Sequence, residues 1–215
     1  MLVSITAVLL SYLLGSVSGS LLVGRIRGID IRRQGSGNAG GTNAFRTQGS
    51  WFALAVVAID IGKGAAAAAL VPIAVGKFTG ASVFATELPV ALACGFAAVV
   101  GHVYPVFHQF RGGKGAGTFV GVLLATQPVF VLPVVVTWLL VLLLTGYVSL
   151  STMLAALAFV AIAGVMASPA ELADWLIFAV AGAAFIVFTH RSNIRRLLGG
   201  TEYRFEKARI FRRRS

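Results

Sequence analysis

Long apolar runs dominate this sequence and leave few ways for it to fold. They occupy seven segments, at residues 2–24, 51–76, 88–106, 117–126, 129–145, 149–167 and 175–189. A helix that crosses the hydrocarbon core of a bilayer needs about 20 predominantly apolar residues. The pattern therefore predicts an all-α, polytopic transmembrane helix bundle with about seven membrane segments, forming a single integral membrane domain over residues 1–215.

The number of segments depends on the short fourth run. Gln127 and Pro128 follow it directly. A proline inside a helix removes a hydrogen bond and clashes with the preceding turn, so we expect a break at this point. The alternative count is six, with residues 117–145 forming one helix interrupted by Pro128.

Composition supports a membrane protein and argues against a nucleic-acid-binding protein and a zinc protein. The chain is 58% hydrophobic and 12% charged, with a net charge of +11. A soluble basic protein would suggest nucleic acid as a partner, but here the basic residues lie in the gaps between apolar runs, so we expect no nucleic acid. One cysteine and three scattered histidines do not match a zinc-site pattern. We expect no metal and no cofactor.

The basic residues lie in alternate gaps and predict an orientation. The gap after the first run contains Arg25, Arg27, Arg32, Arg33 and Arg46, the gap after the third contains Arg111 and Lys114, and the segment after the last run is also basic. Cytoplasmic loops carry an excess of Lys and Arg. With seven spans, the N-terminus is then outside and the C-terminus inside. Residues 202–215 form a basic cytoplasmic tail, which we expect to lie on anionic lipid.

Residues 35–46 form the first of three polar motifs between the apolar runs. The motif combines four glycines with Ser36, Asn38, Thr42, Asn43 and Arg46. Glycine lets backbone N–H groups converge on an anion, and an arginine adds a fork of charged donors. This composition favours phosphate binding, with a flexible loop as the structural alternative.

The second motif, at residues 110–118, precedes the fourth apolar run. It contains Gly112, Gly113, Lys114, Gly115 and Thr118. A glycine-rich turn that leads into a helix N-terminus favours anions through free N–H groups and the helix dipole. The spacing is not that of a nucleotide-binding P-loop. The structural alternative is an interfacial turn with two basic anchors.

The third motif, at residues 190–202, follows the last apolar run. If the helix continues, His190 and Asn193 share one face, and histidine can transfer a proton near neutral pH. Glu202 ends the motif. Snorkelling arginines around a structural histidine are the alternative.

Two further sets of polar residues lie inside or beside the apolar runs. Asp60 and Lys63 interrupt the second run, and His102 precedes the second motif. Charges within a membrane are costly and are functional candidates for that reason. A structural ion pair between Asp60 and Lys63 is the alternative.

Together these segments resemble the bacterial acyl-phosphate-dependent glycerol-3-phosphate acyltransferase family. Residues 35–46 match that family's G-S-G-N-x-G-x-T-N-x-x-R. Residues 101–107 and 110–118 are similar to G-H-x-x-P-x-F followed by F-[KR]-G-G-K-G-x-x-T, with Gly117 where the family usually has alanine. Residues 60–64 resemble D-x-x-K-G, and residues 190–202 resemble H-R-x-N-I-x-R-L-x-x-G-x-E.

The resemblance implies a reaction and its location. An acyl phosphate and sn-glycerol 3-phosphate would give 1-acyl-glycerol 3-phosphate (lysophosphatidic acid) and phosphate, the first acylation of phospholipid biosynthesis. The enzyme would lie in the bacterial inner membrane with its active site facing the cytoplasm. The implied partners are the two substrates and membrane lipid, and the soluble enzyme that makes acyl phosphate is a candidate partner.

The resemblance also assigns roles to residues. Ser36, Arg46, Lys114 and the backbone from Gly112 to Gly115 would orient phosphates. His190, Asn193 and Glu202 would position the glycerol hydroxyl, with His190 as the base, although a substrate phosphate could take the proton instead. The expected substrate-binding set is completed by Gly37, Asn38, Thr42, Asn43, Asp60, Lys63, His102 and Thr118.

A transporter or channel for organic phosphates is the alternative function from another class. Helix ends and Gly-Pro interruptions near the bilayer midplane would suit it. The three motifs are instead predicted to lie on one face of the membrane. Release of phosphate from acyl phosphate by the purified protein would distinguish the enzyme from the transporter.

The charge distribution generates a test of sidedness. Single cysteines beside Arg46, Lys114 and Asn193, in a Cys94→Ala background, should resist a membrane-impermeant thiol reagent in intact cells. The same cysteines should react once the membrane is permeabilised. Labelling of any one of the three from outside would contradict the predicted orientation.

Overall fold

The structure, a computed structural model, describes residues 2–80 and 87–210, except for the side chain of Lys207. Within these ranges the chain forms ten α-helices joined by turns, and no strand is present. This confirms the predicted all-α class. The chain divides into two compact units, Met1–Pro128 and Val129–Ser215. The interpretation of the chain as one domain stays a prediction.

The first unit contains six helices. They are α1 (Leu2–Gly15), α2 (Gly19–Ile26), α3 (Gly41–Gln48), α4 (Ser50–Thr79), α5 (Leu88–Val103) and α6 (Ala116–Thr126). Helix α4 packs against α1, α5 and α6, and α1 also packs against α5. The short helix α3 begins within the first polar motif, for which a flexible loop was the structural alternative.

The first apolar run is broken rather than continuous. Helix α1 ends at Gly15 and α2 begins at Gly19, with an angle of 42° between them. Residues 16–18 are Ser-Val-Ser, and Ser16 and Ser18 are buried. This break places backbone polar groups at membrane depth, where they need partners from other helices.

Helices α4 and α6 approach closely through glycines. A Cβ atom on Gly64 would overlap the carbonyl oxygen of Thr118, and one on Gly121 would overlap the carbonyl oxygen of Ile61. Small residues allow this kind of backbone approach in lipid, where interhelical packing must supply the attraction. Gly64 and Gly121 therefore serve the packing of α4 against α6.

The second unit contains four helices, α7 (Val131–Thr145), α8 (Val148–Met166), α9 (Leu172–Thr189) and α10 (Arg191–Leu198). Helix α8 packs against both α7 and α9. Trp175 is fully buried and makes edge-to-face contacts with Phe130 and Phe178. The break after Gln127 is confirmed, because α6 ends at Thr126 and α7 begins only at Val131.

Five helical segments in the described ranges are long and apolar enough to cross a membrane, and a sixth is added if α1 and α2 count as one bent span. Helix α6 has 11 residues. At about 1.5 Å per residue it is roughly half as long as a hydrocarbon core of about 30 Å. The count of seven crossings and the orientation of the termini therefore stay predictions.

Residues 204–210 of the C-terminal tail are hydrogen-bonded to the end of α7, and the expected contact of the tail with lipid stays a prediction. The backbone N–H of Phe205 donates to the carbonyl of Gly146 at 2.8 Å, and that of Ile210 donates to Leu143 at 3.0 Å. Arg204 Nε donates to the carbonyl of Thr145 at 2.9 Å. The last carbonyls of a helix accept no hydrogen bond from within the helix. At the end of α7, donors from residues 204–210 supply these missing hydrogen bonds. Arg212, Arg213 and Arg214 lie outside the described residues.

The close approach of α4 and α6 generates a stability prediction. Gly64→Ala should lower the free energy of unfolding by about 1–3 kcal/mol, because the added methyl group overpacks a backbone contact. Gly62→Ala in the same helix is the matched control, since a Cβ there meets nothing within 4 Å. Thermal unfolding in detergent should show a lower Tm for Gly64→Ala alone. Equal melting of the two variants would contradict the packing described here.

Candidate active site

The first polar motif is held in shape by Asn43. Its side chain is 1% exposed. Asn43 Nδ2 donates to the carbonyls of Ile31 (3.2 Å) and Gln34 (3.0 Å), and its Oδ1 accepts from the backbone N–H of Ser36 (2.9 Å). Asn43 was expected to contact substrate, but the structure shows its amide bonded to the loop. The loop leaves Ser36 exposed.

The turn that carries Ser36 depends on glycine. Gly35 and Gly37 have φ angles of 56° and 73°. This left-handed region strongly favours glycine. Asn38 follows the turn and is half-buried. The arrangement presents Ser36 and neighbouring backbone groups at the surface of the first unit.

Helix α3 carries the rest of the first motif. It begins at Gly41, so Thr42 lies in its first turn, where backbone N–H groups have no acceptor inside the helix. Arg46 lies four residues after Thr42 and therefore on the same helix face. Both side chains are half-buried. The free N–H groups at the N-terminus of α3, together with the Arg46 charge on the same face in its last turn, make this face a candidate anion site.

The second motif lies against the first. The backbone N–H of Gly113 donates to the carbonyl of His102 at 3.1 Å, and that of Gly112 donates to Val103 at 3.1 Å. A Cβ atom on Gly113 would overlap the His102 ring and lie 2.9 Å from the carbonyl oxygen of Ala39. The turn thus needs glycine at this position, and the structure brings the two predicted phosphate-binding motifs together.

Arg32 provides a second connection between these segments. Its guanidinium pairs with Asp30 at 2.8 Å, and its Nη1 donates to the carbonyl of His108 at 3.2 Å. The hydrogen bond from Arg32 holds the pKa of the Asp30 carboxyl below its ordinary value. The loop before the first motif is therefore tied to the turn before the second.

Helix α6 begins directly after the glycine-rich turn. Gly115, with a φ angle of 90°, precedes its first residue. Lys114 is half-buried in the turn, and Thr118 in the first helical turn is fully buried. Thr118 Oγ1 has no hydrogen-bond partner among the described residues. The N–H groups of a helix start, a cation and a buried hydroxyl therefore lie within one short segment.

Asp60, Lys63 and His102 form a buried cluster in the same unit. Lys63 Nζ lies 3.1 Å from Asp60 Oδ1 and 2.9 Å from His102 Nδ1. The three residues are 3–5% exposed. The ion pair considered as the structural alternative for Asp60 and Lys63 is confirmed, and His102 belongs to it.

In the second unit, Glu202 joins the two ends of the third motif. Its Oε1 accepts from Asn193 Nδ2 at 2.7 Å and from Ser149 Oγ at 2.8 Å. Its Oε2 accepts from Arg196 Nε at 2.7 Å. Burial alone would raise the pKa of Glu202, but these hydrogen bonds and the Arg196 charge hold it below the ordinary value. Glu202 is thus an ionised acceptor that orients Asn193.

Ser149 was not among the residues singled out from the sequence. It lies in the first turn of α8, next to Ser151 and Thr152. A group of hydroxyl residues at the start of an apolar run was the available signal. Its partner is 53 residues away in the chain, so spacing within a motif could not reveal the contact.

His190 lies at the junction of α9 and α10 and is 5% exposed. The helix does not continue through it, contrary to the condition under which His190 and Asn193 would share a face. His190 Nδ1 lies 2.7 Å from the carbonyl oxygen of Ile186. A carbonyl only accepts, so Nδ1 carries the proton and Nε2 of the neutral ring keeps the lone pair. The ring is therefore in the tautomer that a base requires.

Comparisons with known proteins agree with this architecture. A family model described as glycerol-3-phosphate acyltransferase matches residues 5–200. A glycerol-3-phosphate acyltransferase of Chlorobaculum tepidum is 41% identical, covering 97% of this chain and 99% of its own length. One from Chlorobium limicola is 42% identical, covering 95% and 97%.

Two solved structures are also similar. The crystal structure of PlsY (YgiH), an integral membrane glycerol 3-phosphate acyltransferase, in its glycerol 3-phosphate form superimposes with a TM-score of 0.81 at 35% identity. The match covers 94% of this chain and 95% of that one. The lysophosphatidic acid form gives a TM-score of 0.79 at 34% identity, with 94% of each chain covered.

The Glu202 contacts generate a pH prediction for stability. The folded-state pKa of Glu202 lies below its ordinary value of 4.5. The resulting stabilisation is present above that value and is lost as the pH falls through the lower folded-state pKa. Glu202→Gln should lower the Tm at pH 7 and reduce the loss of Tm below pH 4.5. Glu206→Gln, at a side chain that is 59% exposed, is the control. Equal pH profiles for wild type and Glu202→Gln would contradict the prediction.

Proposed function

Because the chain belongs to the glycerol-3-phosphate acyltransferase family, we propose that it transfers a fatty acyl group from acyl phosphate to sn-glycerol 3-phosphate. The products are 1-acyl-glycerol 3-phosphate and inorganic phosphate. We place the enzyme in the bacterial inner membrane, with the three polar motifs facing the cytoplasm. The soluble enzyme that forms acyl phosphate is its proposed source of donor.

The meeting of two glycine-rich segments at Gly113 carries the proposal. The carbonyl of Ala39, from the first motif, lies where a side chain on Gly113 would be. The two motifs contain hydrogen-bond donors suited to an anion, namely Ser36, Arg46, Lys114 and the N–H groups at the start of α3 and α6. Both proposed substrates carry phosphate, and a donor-rich surface of this kind suits them.

Acyl phosphate is a reactive donor, so the proposed mechanism needs no covalent enzyme intermediate. The glycerol hydroxyl attacks the carbonyl carbon, the bond from that carbon to the bridging oxygen breaks, and phosphate leaves with that oxygen. Lys114 and Arg46 offset the phosphate charge, and N–H groups at the start of α6 donate to it, because the N–H groups of Gly112 and Gly113 donate to the carbonyls of Val103 and His102. The chain must orient the two substrates and provide for one proton.

The proton has two candidate acceptors. His190 Nε2 is the protein candidate, since Nδ1 donates to Ile186. Asn193, oriented by Glu202, would hold the acceptor alcohol through its amide. The alternative acceptor is an oxygen of a substrate phosphate. The buried, hydrogen-bonded position of His190 favours it as the base.

The donor is the most specific part of the proposal. Thioester-dependent glycerolipid acyltransferases carry H-x-x-x-x-D, in which the aspartate orients the histidine. Here the residues five after His102, His108 and His190 are Phe107, Gly113 and Arg195. None is acidic, whereas the glycine-rich and basic segments suit a second phosphate.

Purified protein given glycerol 3-phosphate should therefore form lysophosphatidic acid from palmitoyl phosphate. Palmitoyl-CoA and acyl carrier protein thioesters should give only background. Phosphate release that depends on glycerol 3-phosphate would also exclude a transporter. Comparable rates with a thioester would contradict the donor assignment.

The role of His190 has its own test. His190→Ala should lower kcat by about 100-fold or more if the ring is the base. His108→Ala is the matched control, a half-buried histidine outside the three motifs. A base must be unprotonated to act, so the turnover of the wild type should fall at low pH. This fall should be absent from the pH profile of His190→Ala. A milder loss with an unchanged pH profile would assign the proton to a substrate phosphate.

A further inference from the structure

A buried charged cluster connects the break in the first apolar run to the glycine-rich turn. We propose that Asp60, Lys63 and His102 are positioning residues that hold the Gly112–Gly115 backbone in place, rather than residues that contact substrate. The proposal rests on the proposed function only in that Lys114 and the start of α6, which this backbone positions, bind a substrate phosphate. It revises the expectation from the sequence that the three side chains bind substrate themselves.

The cluster first satisfies the broken backbone between α1 and α2. Lys63 Nζ donates to the carbonyl of Val17 at 2.8 Å, and the backbone N–H of Gly19 donates to Asp60 Oδ1 at 3.3 Å. Helix geometry leaves such groups without partners at a break. In a membrane they must be satisfied from within the protein. Asp60 and Lys63 supply one acceptor and one donor for this purpose.

Lys63 Nζ makes its polar contacts with the protein. An ammonium group has three N–H donors. Three polar atoms surround Nζ, namely the carbonyl oxygen of Val17 at 2.8 Å, His102 Nδ1 at 2.9 Å and Asp60 Oδ1 at 3.1 Å. The side chain is 3% exposed. Lys63 Nζ is therefore enclosed by groups of the protein, which favours positioning over phosphate binding.

His102 links the cluster to the glycine-rich turn. His102 Nδ1 lies 2.9 Å from Lys63 Nζ and 3.3 Å from Asp60 Oδ1. A Cβ atom on Gly113 would overlap Nε2, so the ring edge lies directly against the Gly113 backbone. The carbonyl of His102 also accepts from the N–H of Gly113 at 3.1 Å. The turn therefore rests on both the ring and the backbone of His102.

Asp60 supports the other end of the same segment. A Cβ atom on Gly117 would lie 3.5 Å from Asp60 Cβ, which is ordinary contact distance. Gly117 belongs to the first turn of α6, directly after the glycine-rich turn. The cluster thus lies against Gly113 and beside Gly117, on both sides of Lys114. A displacement of about 1 Å at a reacting group can cost about 100-fold in rate.

A double-mutant cycle distinguishes positioning from direct binding. Lys63→Gln alone leaves the buried Asp60 carboxylate without its cation and should lower kcat by about 100-fold. Adding Asp60→Asn removes that charge, keeps an oxygen for the Gly19 N–H, and lets the introduced glutamine amide donate to the carbonyl of Val17. The double variant should recover about tenfold or more relative to Lys63→Gln, because contacting residues are not additive.

A direct role for Lys63 predicts the opposite result. If its charge binds phosphate, the double variant should be no more active than Lys63→Gln, and the KM for glycerol 3-phosphate should rise equally in both. Such a result from folded protein would overturn the proposal. Lys63→Arg adds a second comparison, since it keeps the charge but does not fit the buried site. The proposal expects Lys63→Arg to lose activity as Lys63→Gln does, and wild-type activity would contradict it.

The position of the turn can also be measured without turnover. Ala116→Cys in a Cys94→Ala background places a thiol at the half-buried start of α6. Its labelling rate by a small thiol reagent should rise in Lys63→Gln and return towards the starting rate when Asp60→Asn is added. An unchanged rate in Lys63→Gln would overturn the proposal. Because this measurement needs no acyl donor, it stays informative even if the proposed reaction is wrong.

Discussion

The need to satisfy backbone polar groups within a membrane explains how this protein can carry a polar site. An unbroken helix meets that need by itself. The first unit departs from unbroken helices at residues 16–18 and again at residues 109–115. At the first break, Lys63 and Asp60 supply the partners. At the second, the carbonyls of His102 and Val103 accept from Gly113 and Gly112. Irregular backbone is thereby held in a fixed position.

Most of the helical architecture could be predicted, because hydrocarbon imposes a length and a composition on any segment that crosses it. The long apolar runs became α4, α5, α7, α8 and α9 within a few residues of the expected ends. The Pro128 break was also correct, since a missing N–H and a steric clash act locally. The glycine-rich motifs could be recognised in the sequence by their density of glycine and basic residues, and their role in binding anions stays a prediction.

Other features were not predictable because they depend on contacts between distant residues. The break between α1 and α2 depends on Lys63, which lies 46 residues from Val17. Ser149 gains its role only from Glu202. The sequence places Asn43 among the substrate-binding residues, whereas in the structure its amide accepts a hydrogen bond from the backbone N–H of Ser36 and shapes the loop. In each case residue type indicated polar chemistry, but only the fold determines whether that chemistry faces a ligand or the chain itself.

Equilibrium binding of the two substrates measures whether the two glycine-rich motifs, through Arg46 and Lys114, bind phosphate. Purified wild type, Arg46→Ala and Lys114→Ala should be titrated with glycerol 3-phosphate and, without acceptor, with palmitoyl phosphate. A charge-assisted hydrogen bond contributes about 1.5–3 kcal/mol, so each variant should bind at least one of the two ligands about tenfold or more weakly. Wild-type affinity of both folded variants for both ligands would show that these residues are interfacial anchors and would contradict the account.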